Sequence, residues 1–276
     1  MTIAVDPSVT EQSEAEAWFQ FQKYVPDATR AALGMGSARI GDAVALSMSN
    51  DVTRFWSKSL GFKTAVTADV IREICDFYRS ADAPQATFQI APAFLPEDWK
   101  EICQKEDLTP QSLWVKLVCP VQDAVARLDT LQSPASGIRI TPVRPEQAKE
   151  WGRTMYRSYG MPLEHYSEMG PGTVGLPGWH PFAAWLDDEL VGTGTVFVQG
   201  ETAQMFAGGV LPHARQRGAQ TALLAARVRL AQELGCRLLI AETGAEGPGE
   251  HNPSLHNMFR LGFQVAYERR NWAWVR

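Results

Sequence analysis

A short basic turn that contains a glycine precedes a helix-forming segment in the second half of the chain. It reads HARQRGAQ over residues 213–220, and a run rich in Ala and Leu follows it. The first backbone N–H groups of a helix lack intrahelical partners, and the helix dipole adds partial positive charge there. A phosphate binds well at such a position, and Gly218 would let the backbone approach it closely. The turn therefore predicts an anion site on the amides of residues 216–220, with Arg215 and Arg217 adding charge.

The spacing of this turn excludes two common phosphate-binding motifs. The turn is shorter than G-x-x-x-x-G-K-[ST], and it lacks the G-x-G-x-x-G of a dinucleotide fold. A solvated basic turn before a core helix is the alternative interpretation. The turn taken alone does not decide between the two.

Two longer segments carry a resemblance to a known family. VLPHARQRGAQ, residues 210–220, resembles the V-x-P-x-x-R-x-x-G-x-G/A motif of the GNAT N-acetyltransferase superfamily, with Gln220 in place of the last glycine or alanine. Further along, Asn252-Pro253-Ser254 and a helix that closes on RLGF, residues 260–263, resemble a second element of that family. The resemblance covers about residues 138–276.

The resemblance implies acetyl-coenzyme A as co-substrate, with its pyrophosphate on the amides of residues 216–220 and its pantetheine between the strands that end at Val210 and Glu242. It also implies that the amide of Val210 or Leu211 polarises the thioester carbonyl, and that a primary amine attacks this carbonyl directly. The residues expected to bind the coenzyme are Val210, Leu211, Arg215, Gln216, Arg217, Gly218, Ala219, Gln220, Asn252 and Asn257.

The catalytic groups are the acid and the base of this reaction. The enzyme must remove a proton from the ammonium and can protonate the leaving thiolate. Many relatives place a tyrosine in the last helix at the position that Met258 holds here, and a methionine cannot donate a proton. Ser254, His256 and Tyr267 are the substitutes. Glu242 is the expected base, and an exposed carboxylate at the end of a strand is the alternative interpretation.

The acceptor amine is not identified by the sequence, and either a small molecule or a peptide fits. His180 and Glu164 or Glu168 are candidates for the acceptor pocket. The second hypothesis is a coenzyme A-binding sensor or scaffold that has lost transfer activity, and Met258 and Gln220 motivate it. A third is aminoacyl transfer from charged tRNA, against which the acidic net charge counts.

Composition narrows the class of protein. The 276 residues are 45% hydrophobic and 21% charged, which is typical of a soluble globular protein. A net charge of −5 argues against a nucleic-acid partner held by bulk electrostatics. The four cysteines lack C-x-x-C spacing, the histidines form no H-E-x-x-H, and neither a signal peptide nor a membrane span is evident. We therefore expect a cytoplasmic protein without a metal, and the composition is compatible with a homodimer.

The periodicity of apolar residues predicts a mixed α/β fold, with a mainly antiparallel sheet flanked by helices. The expected helices cover 14–25, 66–80, 96–106, 121–132, 145–160, 222–235 and 254–261, and the expected strands cover 44–48, 86–92, 112–118, 138–143, 201–212, 236–243 and 263–275, with a hairpin over 182–198. LQSPASG, residues 131–137, is typical of a linker. It divides the chain into an N-terminal lead and helix, 1–30, an α/β domain, 31–132, and a GNAT domain, 138–276.

The first half has two open interpretations. Residues 86–118 repeat the order strand–helix–strand of the second half, and FWSKSLGF at 55–62 echoes MFRLGF at 258–263. These similarities suggest a tandem whose first GNAT-like unit is degenerate and has lost its cofactor turn. An unrelated α/β domain is the alternative.

Overall fold

The computed structural model describes residues 5–128 and 137–276, so the predicted linker lies, except for Gly137, outside the described residues. The helices are α1 Pro7–Lys23, α2 Asp27–Leu33, α3 Ala68–Ser80, α4 Trp99–Lys105, α5 Val121–Leu128, α6 Ala148–Ser158, α7 Ala219–Glu233 and α8 Pro253–Arg260. The strands are β1 Met35–Ile40, β2 Ala43–Met48, β3 Lys58–Leu60, β4 Gln85–Gln89, β5 Thr109–Pro120, β6 Ile138–Pro142, β7 Trp179–Leu186, β8 Glu189–Gln199, β9 Thr202–Val210, β10 Leu238–Gly244 and β11 Gln264–Val275.

All these strands join one sheet, in the order β1-β2-β3-β4-β11-β5-β10-β9-β8-β7-β6. Neighbours are antiparallel except for the pairs β3–β4 and β9–β10, which are parallel. Helices pack on the sheet, with α7 against β7, β8 and β9 and α1 against β2 and β9. The predicted fold class, a mainly antiparallel sheet flanked by helices, is confirmed.

The two halves of the chain exchange strands. β5 belongs to the first half, yet it lies between β10 and β11 of the second half. β11 in turn pairs with β4 on its other side, and so completes the sheet of the first half. Each half therefore depends on a strand from the other, and the division at 31–132 and 138–276 stays a prediction about the sequence.

Local sequence signals mark the start of α8 and the end of α7. The Asn252 side chain accepts hydrogen bonds from the amides of Ser254 and Leu255, and Pro253 occupies the first turn of α8. Helix α7 ends just before Gly235, whose φ of 75° is the left-handed conformation that favours glycine. Both boundaries were expected from the sequence.

The strand–helix–strand order of the first half is confirmed as β4, α4 and β5. The short echo between residues 55–62 and 258–263, however, does not mark equivalent elements. Lys58–Leu60 forms β3 because it is held by ladders to β2 and β4, whereas residues 258–260 are the last turn of α8. Among the helices of the described residues, none combines the length and apolarity needed to cross a lipid bilayer.

A buried ion network fastens α1 to the sheet. Arg269 of β11 donates from Nη1 to Glu11 at 2.7 Å and from Nη2 to Glu14 at 3.1 Å. Lys116 of β5 forms a close ion pair with Glu14, and all four side chains are at most 1% exposed. Removing one member of such a network leaves a buried charge without compensation. The network therefore makes the docking of α1 depend on the charge of each member.

Replacing Arg269 by methionine should lower the free energy of unfolding by about 3–5 kcal/mol, because two buried carboxylates lose the arginine and keep only Lys116 as a cationic neighbour. Urea denaturation measures this loss. Arg270→Met is the matched control, since the neighbouring Arg270 is exposed and donates to the carbonyl of Gln111; it should change the stability by no more than about 0.5 kcal/mol. Equal losses in the two variants would contradict the stabilising role of the network.

Candidate active site

A cavity forms where two parallel strands separate. β9 and β10 pair only over Thr202–Gln204 and Leu238–Ile240. Beyond this point β9 continues beside β8, while β10 continues beside β5. A cavity of about 360 Å³ occupies the gap, and residues of both strands, from 205–208 and 241–243, line it. Backbone and side chains of the diverging strands are thus accessible to a ligand.

β9 bends at a bulge beside this gap. Its register against β8 shifts between the pairs Thr193–Gly209 and Thr195–Phe206. The bulge predicted at residues 208–209 is confirmed, and Ala207 takes the positive φ of 50°. Gly209 is required for close packing, because a Cβ there would lie 2.0 Å from Oγ of Ser158.

The basic turn leads directly into the N-terminus of α7. Gly218 precedes the helix with a φ of 79° and provides no side-chain cap, so the first amides of α7 are not capped by a side chain. Arg217 is exposed. Arg215 instead donates from Nε to the carbonyl of Val210 at 3.1 Å and from Nη2 to that of Ser158 at 3.2 Å. Arg215 therefore braces the turn against α6, while Arg217 is left to face solvent.

The two amides expected to polarise a thioester differ in their bonding. The N–H of Leu211 donates to the carbonyl of Val191 at 2.8 Å. Successive N–H groups of a strand point to opposite edges, so that of Val210 points away from β8. Val210 is the better placed of the two.

Both asparagines expected to bind the coenzyme have partners within the protein. Asn252 caps α8 and also donates from Nδ2 to Oγ1 of Thr243 and to the carbonyl of Gly244, each at 2.9 Å. It therefore holds α8 against the end of β10. Asn257 accepts a hydrogen bond from Arg260 one turn later on α8.

Two polar side chains of α7 reach into the cavity. Gln220 and Arg227 lie two turns apart on one face of the helix and both line the cavity near Gly208. Arg227 is 1% exposed and donates to the carbonyls of Leu223 and Thr195; burial lowers the pKa of its guanidinium to about 10. Oε1 of Gln220 and Nη2 of Arg227 are buried without a hydrogen-bond partner in the described part of the chain. The sequence analysis missed Arg227, although an arginine in the middle of an apolar helix was a usable signal.

Glu242 lines the cavity with a side chain that is 9% exposed. Its carboxylate accepts a hydrogen bond from Nε2 of Gln204 at 2.8 Å and lies 3.7 Å from Nζ of Lys116. Burial, together with the negative charge of Glu14, raises the pKa of Glu242 to about 7, although Lys116, Arg269 and Gln204 act in the opposite direction. A carboxyl group that titrates near neutral pH meets the requirement for a general base.

The structure separates the expected proton donors. Ser254 and Met258 of α8 line the cavity with Glu242. The hydroxyl of Tyr267 instead donates to Glu11 at 2.7 Å and lies 2.8 Å from Oγ1 of Thr10. Burial raises the pKa of this hydroxyl. These bonds favour a structural role for Tyr267, at the interface with α1.

His256 lies outside the cavity in an exposed cluster. Its Nε2 is 2.9 Å from Oε1 of Glu246, and the ring of His251 lies against it at a tilt of 34°, with ring centroids 4.5 Å apart. Potential ligand atoms of these three side chains lie within 4.8 Å of one another. Glu246 also accepts a hydrogen bond from the amide of Asn252, so this carboxylate already positions the start of α8.

The far end of the cavity is lined by aromatic rings. They come from α1, from the loop between β2 and β3, from α6 and from β9, and they are Trp18, Phe21, Phe55, Trp56, Tyr156 and Phe206. The carboxylate of Asp51 fixes the loop, because it accepts hydrogen bonds from the amides of Thr53, Phe55 and Trp56 and from the hydroxyl of Tyr166. Sequence reasoning missed these rings, since they are far apart along the chain.

The residues expected around the acceptor lie elsewhere. Glu164 is exposed, and Glu168 accepts a hydrogen bond from Thr29 of α2. His180 is half-buried on β7, and burial lowers its pKa. From the loop that carries Glu164 and Glu168, Met161 lines the cavity.

Comparisons with known proteins identify the family of this part of the chain. A sequence model of the acetyltransferase (GNAT) family matches residues 144–263. Residues 144–263 are a GNAT acetyltransferase domain. No curated protein sequence matches the chain.

Solved GNAT structures share the fold over nearly the whole chain. A GCN5-related N-acetyltransferase from Kribbella flavida is 14% identical with a TM-score of 0.61, covering 89% of this chain and 93% of its own. A tandem GNAT protein from the clavulanic acid biosynthesis pathway is 13% identical with a TM-score of 0.58, covering 95% and 96%. A GCN5-related N-acetyltransferase from Sphaerobacter thermophilus is 14% identical with a TM-score of 0.56, covering 84% and 80%. At 13–14% identity, these similarities show a shared fold and nothing more specific.

Replacing Glu14 by glutamine should lower the pKa of Glu242 by about 1 unit, because a like charge is removed and Lys116 becomes free to pair with Glu242. The chemical shift of the Glu242 side-chain carboxyl carbon, followed by NMR against pH, measures this pKa. Glu16→Gln is the control, since Glu16 lies on the same helix but pairs with Arg39. A pKa of Glu242 that is unchanged by Glu14→Gln would contradict this coupling.

Proposed function

We propose that this GNAT protein transfers an acetyl group from acetyl-coenzyme A to the nitrogen of a primary amine. The observation that carries the proposal is the position of the nearly buried carboxyl group of Glu242 inside the gap between β9 and β10. Burial raises the pKa of this group, as a general base requires. Gln220, the second residue of α7, lines the same cavity, and no side chain caps the start of this helix. A base and an anion site are thereby combined in one cavity.

The donor groups of the site fit coenzyme A as co-substrate. The amides of residues 216–220 and the exposed Arg217 suit its pyrophosphate. Oε1 of Gln220 is buried and unpartnered within the described residues, and it can only accept a hydrogen bond. Because Gln220 lines the cavity between the diverging strands, we assign its side-chain amide to a hydrogen bond with the pantetheine arm.

The reaction needs one proton to leave the amine before attack. Glu242, in its ionised form, takes this proton from the ammonium. The amine nitrogen then forms a bond to the thioester carbonyl carbon, and the N–H of Val210 stabilises the negative charge that develops on the oxygen. The carbonyl reforms as the C–S bond breaks, and its electron pair leaves with the coenzyme A thiolate. The second proton of the nitrogen passes to the thiolate, and Ser254 is the hydroxyl on the cavity wall that can relay it.

The second candidate function is a coenzyme A-binding sensor without transfer activity. Met258 favours it, because it lines the cavity and cannot protonate a thiolate. Isothermal titration with acetyl-coenzyme A combined with a thiol-release assay separates the two functions: binding without release over a broad panel of amines would favour the sensor. The homodimer, the cytoplasmic location and the absence of a nucleic-acid partner stay predictions.

Replacing Glu242 by glutamine should lower kcat of acetyl transfer by about 10²–10⁴-fold, since it removes the general base without changing the size of the side chain. A free-thiol assay measures kcat, and titration calorimetry should give a Kd for acetyl-coenzyme A within about twofold of the wild-type value, because the change does not touch the anion site. Glu201→Gln, at an exposed carboxylate paired with Arg237, is the control. Full activity of Glu242→Gln at every pH would exclude Glu242 as the base.

Replacing Gln220 by alanine should weaken coenzyme A binding by about 3- to 10-fold, the effect of one lost hydrogen bond. Binding of adenosine 3′,5′-bisphosphate, which lacks the pantetheine arm, should not change. Calorimetry with the two ligands measures both constants. Tighter binding of coenzyme A by the variant would mean that Gln220 crowds the site.

A further inference from the structure

Two histidines and a glutamate meet on the surface beside the start of α8. Glu246 and His251 belong to the loop between β10 and α8, and His256 is the fourth residue of α8. Nε2 of His256 lies 2.9 Å from Oε1 of Glu246, and Nδ1 of His251 lies 3.7 Å from the same oxygen. One ligand atom from each of the three side chains thus lies within 4.8 Å of the other two.

This set of donor atoms is typical of a site for a divalent transition metal. Imidazole nitrogens suit Zn²⁺, whereas Ca²⁺ and Mg²⁺ prefer oxygen ligands. Zinc–ligand bonds of about 2.0–2.2 Å in a tetrahedron place neighbouring ligand atoms about 3.3–3.6 Å apart. The distances from Glu246, 2.9 Å and 3.7 Å, are close to this range, and the two imidazoles are exposed and free to rotate by the small amount needed.

Hydrogen bonds hold the loop in this form without a metal. Oε1 of Glu246 accepts a hydrogen bond from the amide of Asn252, and Glu250 accepts one from the amide of Gly247 at 2.9 Å. Asn252 in turn donates to the carbonyl of Gly244 at the end of β10. A carboxylate has about four lone-pair positions, so Glu246 keeps acceptor capacity for a metal. Its orientation is therefore set in advance, as the partners of a ligating carboxylate commonly do.

The charge around the cluster favours zinc over a hard cation. Glu246 is the one carboxylate among the three potential ligands, and Arg260 lines the same surface depression as His251 and His256. Arg260 is exposed, so solvent and salt screen its charge. A cation held mainly by charge would bind weakly here, and the imidazole bonds must supply most of the affinity.

The sequence analysis expected no metal, because the histidines match no H-E-x-x-H motif. The three ligands are instead five residues apart, at 246, 251 and 256, and the path of the loop into α8 brings them together. The four cysteines are buried and free, so they do not compete for an added metal ion.

We propose that Glu246, His251 and His256 bind one Zn²⁺ ion per chain, with water completing the coordination. The ion joins the loop after β10 to α8, the helix that also provides Ser254 and Met258 to the cavity wall. The site is separate from the proposed general base and does not depend on acetyl transfer.

Calorimetric titration of ZnCl₂ into metal-free protein without a histidine tag tests the site. One Zn²⁺ per chain should bind at micromolar concentrations, and His256→Gln should weaken this binding by at least about 100-fold, because loss of an outer partner alone costs about 10- to 100-fold. Zn²⁺ at 100 times its Kd should raise Tm by about 5 °C, and Mg²⁺ should not. No binding of Zn²⁺ at micromolar concentrations overturns the proposal.

His213→Gln is the matched control for the histidine variant. His213 is similarly exposed and lies 3.2 Å from Glu189, and no third ligand completes this pair among the described residues. The control should bind Zn²⁺ with the wild-type Kd. Equal weakening in His213→Gln and His256→Gln would show binding to surface histidines in general and overturn the site.

Glu246→Gln tests the carboxylate separately from the fold of the loop. The amide oxygen of glutamine can still accept the hydrogen bond from Asn252, so Tm of the metal-free variant should stay within about 2 °C of the wild-type value. Loss of the charge should weaken Zn²⁺ binding by about 10- to 100-fold. An unchanged Kd for Zn²⁺ would overturn the assignment of Glu246 as a ligand.

Discussion

The separation of β9 from β10 is the constraint on which the site depends. Two parallel strands that share only three paired positions must each find another neighbour, and β8 and β5 take those places. The gap left between them brings the bulge of β9, the side chain of Glu242 and the N-terminus of α7 around one cavity. Continuous pairing of the two strands would close this space and leave the proposed acyl transfer without a site.

The first half of the chain sets the electrostatics of the candidate base. The ladder between β5 and β10 places Lys116 directly opposite Glu242. Lys116 in turn contacts Glu14 of α1, which also pairs with Arg269 of β11. The protonation of Glu242 is therefore governed by residues from α1, β5 and β11, and a GNAT domain restricted to residues 138–276 would lack Glu14 and Lys116.

The sequence predicted the elements whose signals are local. The glycine turn before α7, the Asn252 cap of α8 and the bulge of β9 each depend on a few neighbouring residues, and all three were expected. The insertion of β5 between β10 and β11 was not expected, because the pairing of strands more than a hundred residues apart leaves no periodic pattern in the sequence. The sequence analysis also did not predict that α1 buries a polar face, because glutamates such as Glu11 and Glu14 are typical of a solvent-exposed surface. Only the fold shows that Arg269 and Lys116 lie against them. The aromatic lining of the cavity likewise forms only when α1, the loop between β2 and β3, α6 and β9 come together.

The exchange of strands has a consequence for synthesis of the chain. β5 is complete at residue 120, but its two neighbours in the sheet, β10 and β11, emerge from the ribosome more than a hundred residues later. During that interval both edges of a largely apolar strand lack their native partners, and pairing of such distant segments is slow. The first half of the nascent chain therefore stays incompletely folded during this interval, and its unpaired strand edges are sites at which it can aggregate.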